Sequence, residues 1–225
     1  MDFFQMFAAG LISIVGCYAA SAEVMNLRVT SSSMMPTFGP GDVVATTSYA
    51  STETMERGDL VAYKVHYISK SLLGGPGQLV DTVFLGRIIG LPGETIEIED
   101  GIPIINGEPL KMTPISSTLD GGCPEETESS TYYQCRFVRE TTPKGKSYIL
   151  LDMVNNSFGD NIDAKTLADN EYYIMGDNRD NANDSRFPSV GLVLKDQIKG
   201  KIRMFSASVR KPDRQWRLDG FPGFK

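Results

Sequence analysis

Histidine is almost missing from this chain of 225 residues, in which His66 stands alone. Cysteine is nearly as scarce, with Cys17, Cys123 and Cys135 and no Cys-x-x-Cys pair. These two shortages exclude a Cys/His zinc centre, which needs four such ligands at short spacings. No cofactor and no metal is expected. Three cysteines are also too few for a disulfide scaffold. Cys123 and Cys135 remain a disulfide candidate, able to close a short polar loop and stabilise it by roughly 2–3 kcal/mol if it lies outside the cytoplasm. An excess of basic charge is absent as well. The net charge of −6 is opposite in sign to the footprint of a nucleic-acid binder, so nucleic acid is excluded as a partner. Internal repeats and low-complexity tracts are lacking, and no amphipathic helical period follows the first two dozen residues.

What is present begins with an apolar leader. Residues 3–20 carry only Gln5 and Ser13 as polar interruptions, near the lower limit of the ~17–25 residues that span a bilayer. Ala20-Ser21-Ala22 follows and fits the small-residue signature of a cleaved secretory signal. Asp2 is the only charge ahead of the run, so the basic flank such a signal prefers is missing. Ile14-Val15-Gly16-Cys17 is similar to a lipoprotein attachment box. An uncleaved anchor, a removed signal and a lipidated cysteine all place the remainder outside the cytoplasm; a buried core helix is the fourth reading. At the other end, the chain from Lys195 onward has nine basic against three acidic residues, interleaved with Trp216, Phe221 and Phe224. Such a mixture suits an anionic membrane surface and equally suits a solvated tail with a few apolar anchors.

Between these ends the pattern is β. Short apolar runs open after Gly41 and Gly58, and a longer one covers residues 80–89. Thr95-Ile96-Glu97-Ile98-Glu99 alternates with period two into Asp100-Gly101, a strong hairpin signal. Ile102-Pro103-Ile104-Ile105 returns, with Pro103 marking an edge strand, and Asn106-Gly107 turns again. Residues 111–170 change character, with a glycine-, proline- and acid-rich stretch and one clear strand over residues 147–151. The expected fold class is all-β, a mainly antiparallel, barrel-like or sandwich core plus the N-terminal apolar helix. The core comprises residues 23–110 and 171–225, residues 111–170 form an inserted smaller β subdomain, and residues 1–22 are the anchor or signal.

Four blocks in order carry the chemistry: Ser31-x-Ser33-Met34-x-Pro36-Thr37, Arg57-Gly58-Asp59-Leu60-Val61, Gly86-Arg87-Ile88-Ile89-Gly90-Leu91-Pro92-Gly93-Glu94, and Met175-Gly176-Asp177-Asn178-Arg179-Asp180-Asn181 continued by Asp184-Ser185-Arg186. A triple serine alone reads as a polar loop. In this series the chain resembles bacterial type I signal peptidases, membrane-anchored serine endopeptidases that remove signal peptides from exported proteins. The resemblance implies a β catalytic core with an inserted β subdomain that can carry a disulfide. It also implies an inner-membrane location, with the catalytic-type domain on the periplasmic side, and signal peptides of exported preproteins as partners.

It implies site residues too. Ser33 matches the nucleophile, and Ser31 matches the serine that lines the oxyanion hole together with the Ser33 N–H. Asp184 and Arg186 match a charged pair that shapes the site, Arg87 matches the arginine after the catalytic lysine, and Met34, Pro36, Asp177 and Arg179 belong to the same surroundings. A serine needs a neighbour to accept its proton, and a lysine does so only when burial lowers its pKa. Here Gly86 stands where the family has that lysine, and Ala182 stands where it has the serine that orients the lysine. Arg87 stays protonated at any accessible pH and cannot substitute. His66, Lys64, Lys70 or a residue from a partner are the other candidates for a base. Three readings follow: a signal-peptide-binding relative with weak or absent cleavage, which can escort, compete with or regulate an active peptidase; an active peptidase using another base; and a structural secreted β protein.

Overall fold

The computed structural model describes residues 24–50, 52–69, 78–115 and 136–207. The apolar leader, the Cys123–Cys135 pair, Lys70 and residues 208–225 of the basic, aromatic C-terminal stretch lie outside the described residues. Among those described, no helix is long and apolar enough to cross a membrane, and the one helical segment is a 3₁₀ turn at Lys195–Gln197.

Among the described residues, fourteen strands run in chain order. The first four are β1 (Val24–Arg28), β2 (Val43–Thr47), β3 (Leu60–Ser69) and β4 (Gln78–Gly90). Then come β5 (Thr95–Glu99), β6 (Ile102–Ile105), β7 (Glu108–Pro109), β8 (Lys111–Ile115), β9 (Arg136–Thr141), β10 (Ser147–Asp152) and β11 (Ile162–Thr166). The last described strands are β12 (Glu171–Met175), β13 (Val193–Leu194) and β14 (Ile198–Ala207). The largest sheet has seven strands in the order β1-β2-β14-β3-β4-β12-β13, each pair antiparallel. The expected all-β class is what the described chain adopts.

The stretch between β4 and β12 builds two smaller sheets, β11-β5-β6-β7 and β10-β9-β8. The sequence reading begins an insertion at residue 111, but the pairing of β11 with β5 groups residues 95–109 with the later strands. The physical reason is the apolar face of β5. Ile96 and Ile98 are buried with Ile105, Leu150 and Leu167 against Ile89, Tyr173 and Met175 of the central sheet. Full burial of such side chains contributes about 1.5–3 kcal/mol each.

The hairpin signals do what their chemistry requires. Asp100 and Gly101 have φ of 47° and 79°, and Asn106 and Gly107 have 53° and 83°, the left-handed pairs demanded by a type I′ turn. Pro103 is placed differently from the expectation, because β6 lies between β5 and β7. β7 pairs with Ile104 and Ile105, and Leu110 just past its end donates its N–H to the Pro103 carbonyl at 2.8 Å, so Pro103 stands where this ladder ends and its missing N–H leaves out only the terminal bond.

Candidate active site

β1 leads into Thr30, and the chain then turns through residues 31–37. Two neighbouring methionines pin this turn from opposite sides. Met34 is buried with Val29, Phe38, Val44 and Ile202, and Met35 is buried with Phe137, Ile149 and Leu151 of the small sheet β10-β9-β8. The Met35–Pro36 peptide bond is cis. With both apolar neighbours buried, the serines are left at the surface: Ser31 is exposed and Ser33 half-buried. Their hydroxyl oxygens are 3.0 Å apart.

A loop after β12 clasps the serines. The Asn178 N–H donates to the Ser33 carbonyl at 3.0 Å, Asn178 Nδ2 donates to the Ser32 carbonyl at 3.2 Å and Asn181 Nδ2 to Ser32 Oγ at 2.7 Å. Gly176 makes the close approach possible. A Cβ on it would lie 2.3 Å from Ala182 Cβ and 2.6 Å from the Ser33 carbonyl oxygen. The Gly176 N–H donates to Asp184 Oδ2 at 2.9 Å, and Arg186 chelates the same carboxylate through Nε and Nη2, both at 2.8 Å.

Asp177 is the hub behind the serines. It accepts from Thr37 Oγ1 at 2.5 Å and from Arg87 Nε and Nη2 at 2.8 and 2.5 Å. Arg87 Nη1 donates to the Gly58 carbonyl at 2.9 Å, and its guanidinium lies 3.8 Å from the centroid of Tyr148. Burial alone would lower the pKa of Arg87, but the Asp177 carboxylate more than offsets this and holds the guanidinium protonated. A second buried pair lies beside it, with Arg179 Nη2 2.7 Å from Glu140 Oε2 while the Tyr148 hydroxyl donates to Glu140. All four charged groups, Arg87, Asp177, Arg179 and Glu140, are nearly solvent-free. Arg87 therefore has a structural occupation of its own, independent of whatever precedes it in sequence.

Ser31, Ser33, Met34, Gly176, Ala182 and Asp184 line one cavity of about 260 Å³, which Leu27, Arg28, Val29 and Thr30 border from one side and Tyr63, Val83, Phe84 and Leu85 from the other. Among the described residues that line it, Arg28 is the only cation. Lys64 and His66 do not line it. They share Asp81, with Lys64 Nζ at 2.6 Å and His66 Nδ1 at 2.5 Å from its two oxygens. Side chains alternate along β3, so Lys64 and His66 face away from the buried side occupied by Tyr63 and Val65. Tyr63 is no base either: burial, then the Asp184 carboxylate, push its phenol well above the ordinary value and keep it protonated.

The structure thus brings Ser31, Ser33, Met34, Ala182 and Asp184 to one cavity. Arg87, Asp177 and Arg179 form the buried frame behind it, with Pro36 in the turn and Arg186 on Asp184. Gly86 sits on β4 with its Cα hydrogen towards Ile174 and Tyr63. Sequence reasoning had no role for Ser32, Thr37, Asn181, Glu140, Tyr148 or Tyr63. Thr37 and Asn181 lie inside the recognised blocks, and their hydrogen-bonding side chains were the available signal. Glu140 and Tyr148 had none, since their partner Arg179 is 39 residues from Glu140.

The sequence model of the family described as "Signal peptidase, peptidase S26" matches residues 3–207. Signal peptidase I of Rickettsia bellii is 31% identical over 140 residues, covering 59% of this chain and 41% of that protein. Signal peptidase I of Rickettsia typhi is 26% identical over 161 residues, covering 69% of this chain and 53% of that protein. The match thus spans about half the length of the curated relatives. A crystal structure of a signal peptidase I from Enterococcus faecalis is similar with a TM-score of 0.34 and 22% identity, covering 68% of this chain and 99% of that one.

Proposed function

Since the chain belongs to the signal peptidase family, peptidase S26, we propose that it binds the cleavage regions of signal peptides of exported preproteins and cleaves them weakly or not at all. The observation that carries this reading is one cavity holding Ser31 and Ser33 together with Ala182, while Arg28 is the only cation among its described lining residues. Ser33 is the nucleophile position in this reading and Ser31 an oxyanion donor. An extended peptide would run between the end of β1 and the Val83–Leu85 edge of β4, with main-chain bonds for affinity and a small side chain in the cavity. Removing a positioned base typically loses ~10²–10⁴ in rate, and oxyanion stabilisation leaves a residual turnover. The catalytic-type domain would sit outside the cytoplasm at the inner-membrane surface, held by the leader and assisted by the basic, aromatic C-terminal stretch. It would compete with an active peptidase for substrate or escort it.

A second reading, an active peptidase completed by a partner's lysine, is favoured by the retained 3.0 Å spacing of the two serine hydroxyls. A labelled peptide spanning an Ala-x-Ala cleavage region tests both. The purified wild type and Ser33→Ala should bind it equally in fluorescence anisotropy, with little product by mass spectrometry. Rapid, Ser33-dependent cleavage by the purified protein would overturn the first reading, and failure of any binding would overturn both.

A further inference from the structure

Gly86 has no side chain, yet the room for one is already taken. A Cβ there would lie 2.4 Å from Ile174 Cγ2, 3.0 Å from Tyr63 Cε1 and 3.4 Å from the Met175 carbonyl oxygen. Gly86 does not have a left-handed φ, so contact and not torsion is what demands glycine. The obstacle is stiff. Ile174 Cγ2 hangs directly on Cβ and moves only by rotation about χ1, which β-branched residues resist. Ile174 is fully buried, and Ser185 grips it at both ends of its peptide unit, with Ile174 N donating to Ser185 Oγ and Ser185 N donating to the Ile174 carbonyl, each at 3.0 Å. Tyr63 is 1% exposed and lies edge-on to Phe84 at 6.1 Å between ring centroids.

Strand alternation gives this contact its meaning. Arg87 points to Asp177 and Tyr148 on one face of β4, so position 86 points to the opposite face, where Tyr63 forms both the obstruction and a wall of the Ser33 cavity. We propose that Ile174 and Tyr63 are a hydrocarbon plug seated where a base on β4 would start towards Ser33, so that cleavage is withheld by packing as well as by the missing amine. This inference rests on Ser33 facing the peptide site. Its direct consequence is that replacing the two altered positions, Gly86 and Ala182, does not rebuild a peptidase until the plug is cut back.

The test compares full-length wild type, Gly86→Lys/Ala182→Ser, and that pair combined with Ile174→Leu and Tyr63→Leu. Ile174→Leu keeps the volume and removes the Cβ branch, while Tyr63→Leu removes the ring edge. The pair alone should cleave the Ala-x-Ala peptide no faster than wild type. The fourfold variant should gain about a hundredfold, the low end for a positioned base, lose the gain on Ser33→Ala, and show a rate that rises with pH as the lysine deprotonates. The plug is disproved if the pair alone cleaves as fast as the fourfold variant, or if the folded fourfold variant binds peptide and gains nothing. A measurement independent of catalysis covers failure to fold: Gly86→Ala should lower the melting temperature on the order of 5 °C in wild type and by less than half as much in Ile174→Leu. Equal losses in the two backgrounds would overturn the plug. A peptide that binds no variant would instead overturn the proposed function and leave this coupling standing.

Discussion

Two walls of the Ser33 cavity are made of different materials. The serine wall is backed by ions and hydrogen bonds: Thr37, Arg87 and Asp177 form one buried unit, Asp184, Arg186 and the Gly176 N–H another. The wall around Gly86 is backed by hydrocarbon, with Ile174 and Tyr63 in the same core as Val61, Val65 and Ile88. A buried ion unit cannot lose one member cheaply, because the remaining charge is stranded away from water. A hydrocarbon wall is stiff once packed, but one apolar side chain can be exchanged for another of similar volume at little cost. The difference explains how Arg87 can persist beside Gly86: the arginine belongs to the ionic frame, and the position before it belongs to the hydrocarbon wall.

Breaking the ionic frame should have the largest effect. Arg87→Ala leaves the buried Asp177 carboxylate, among the described residues, with only the Thr37 hydroxyl to bond it, and should cost about 3–5 kcal/mol, read as a melting temperature lower by roughly 10 °C. A loss as small as that of a surface mutation would mean the frame carries no special weight. Next, Gly176→Ala pushes a methyl into Ala182 and the Ser33 carbonyl and should cost about 1–3 kcal/mol. Relief of that cost by Ala182→Gly would locate the conflict at the contact.

Acid should weaken a third, peripheral ionic unit by a smaller step. Asp59 is 1% exposed and receives Lys146 and Lys201, both at 2.9 Å. Burial by itself would raise its carboxyl, but the bonds from the two lysines override this and hold it below the ordinary value. A carboxyl held low in the folded state contributes stability that is present above its unfolded pKa and disappears as pH falls through the folded one. The advantage of wild type over Asp59→Asn in urea unfolding should therefore hold at pH 7 and shrink towards pH 3. An advantage that grows on acidification would contradict the geometry.

The smallest effect should come from the serine itself. Ser33 anchors the loop through its backbone carbonyl, accepting from Asn178, and its half-buried hydroxyl bonds only to Ser31 among the described partners. Ser33→Ala should change stability by less than about 0.5 kcal/mol, checked by the same urea titration. A loss comparable to that of Arg87→Ala would show that the hydroxyl is part of the frame.

Much of this architecture was legible in the chain because the signals are local. Alternating Ile96 and Ile98, followed by Asp100-Gly101, specify a strand and its turn through torsions and a two-residue period alone. Pro103 misled because its cost depends on where along a ladder it falls, and the pairing with β7 ends at Pro103 with the Leu110 N–H on its carbonyl. Lys64 and His66 remained candidates for a base in the sequence, since nothing local reveals which face of β3 looks towards Ser33. Once β3 lies between β14 and β4, alternation sends both of them to Asp81.

By itself the amino-acid sequence determined the β class and the hairpin turns, and it set Ser33 beside Gly86 at the position where the resemblance implies a lysine, because each of these is written in residue identity within a few positions. Tertiary structure alone decided that Arg87 answers Asp177 across 90 residues, that Glu140 of an outlying sheet completes the frame, and that Ile174 and Tyr63 fill the room beside Gly86. Those outcomes depend on which strands become neighbours, and the space left beside a glycine is a property of the packed core and not of any segment of the chain.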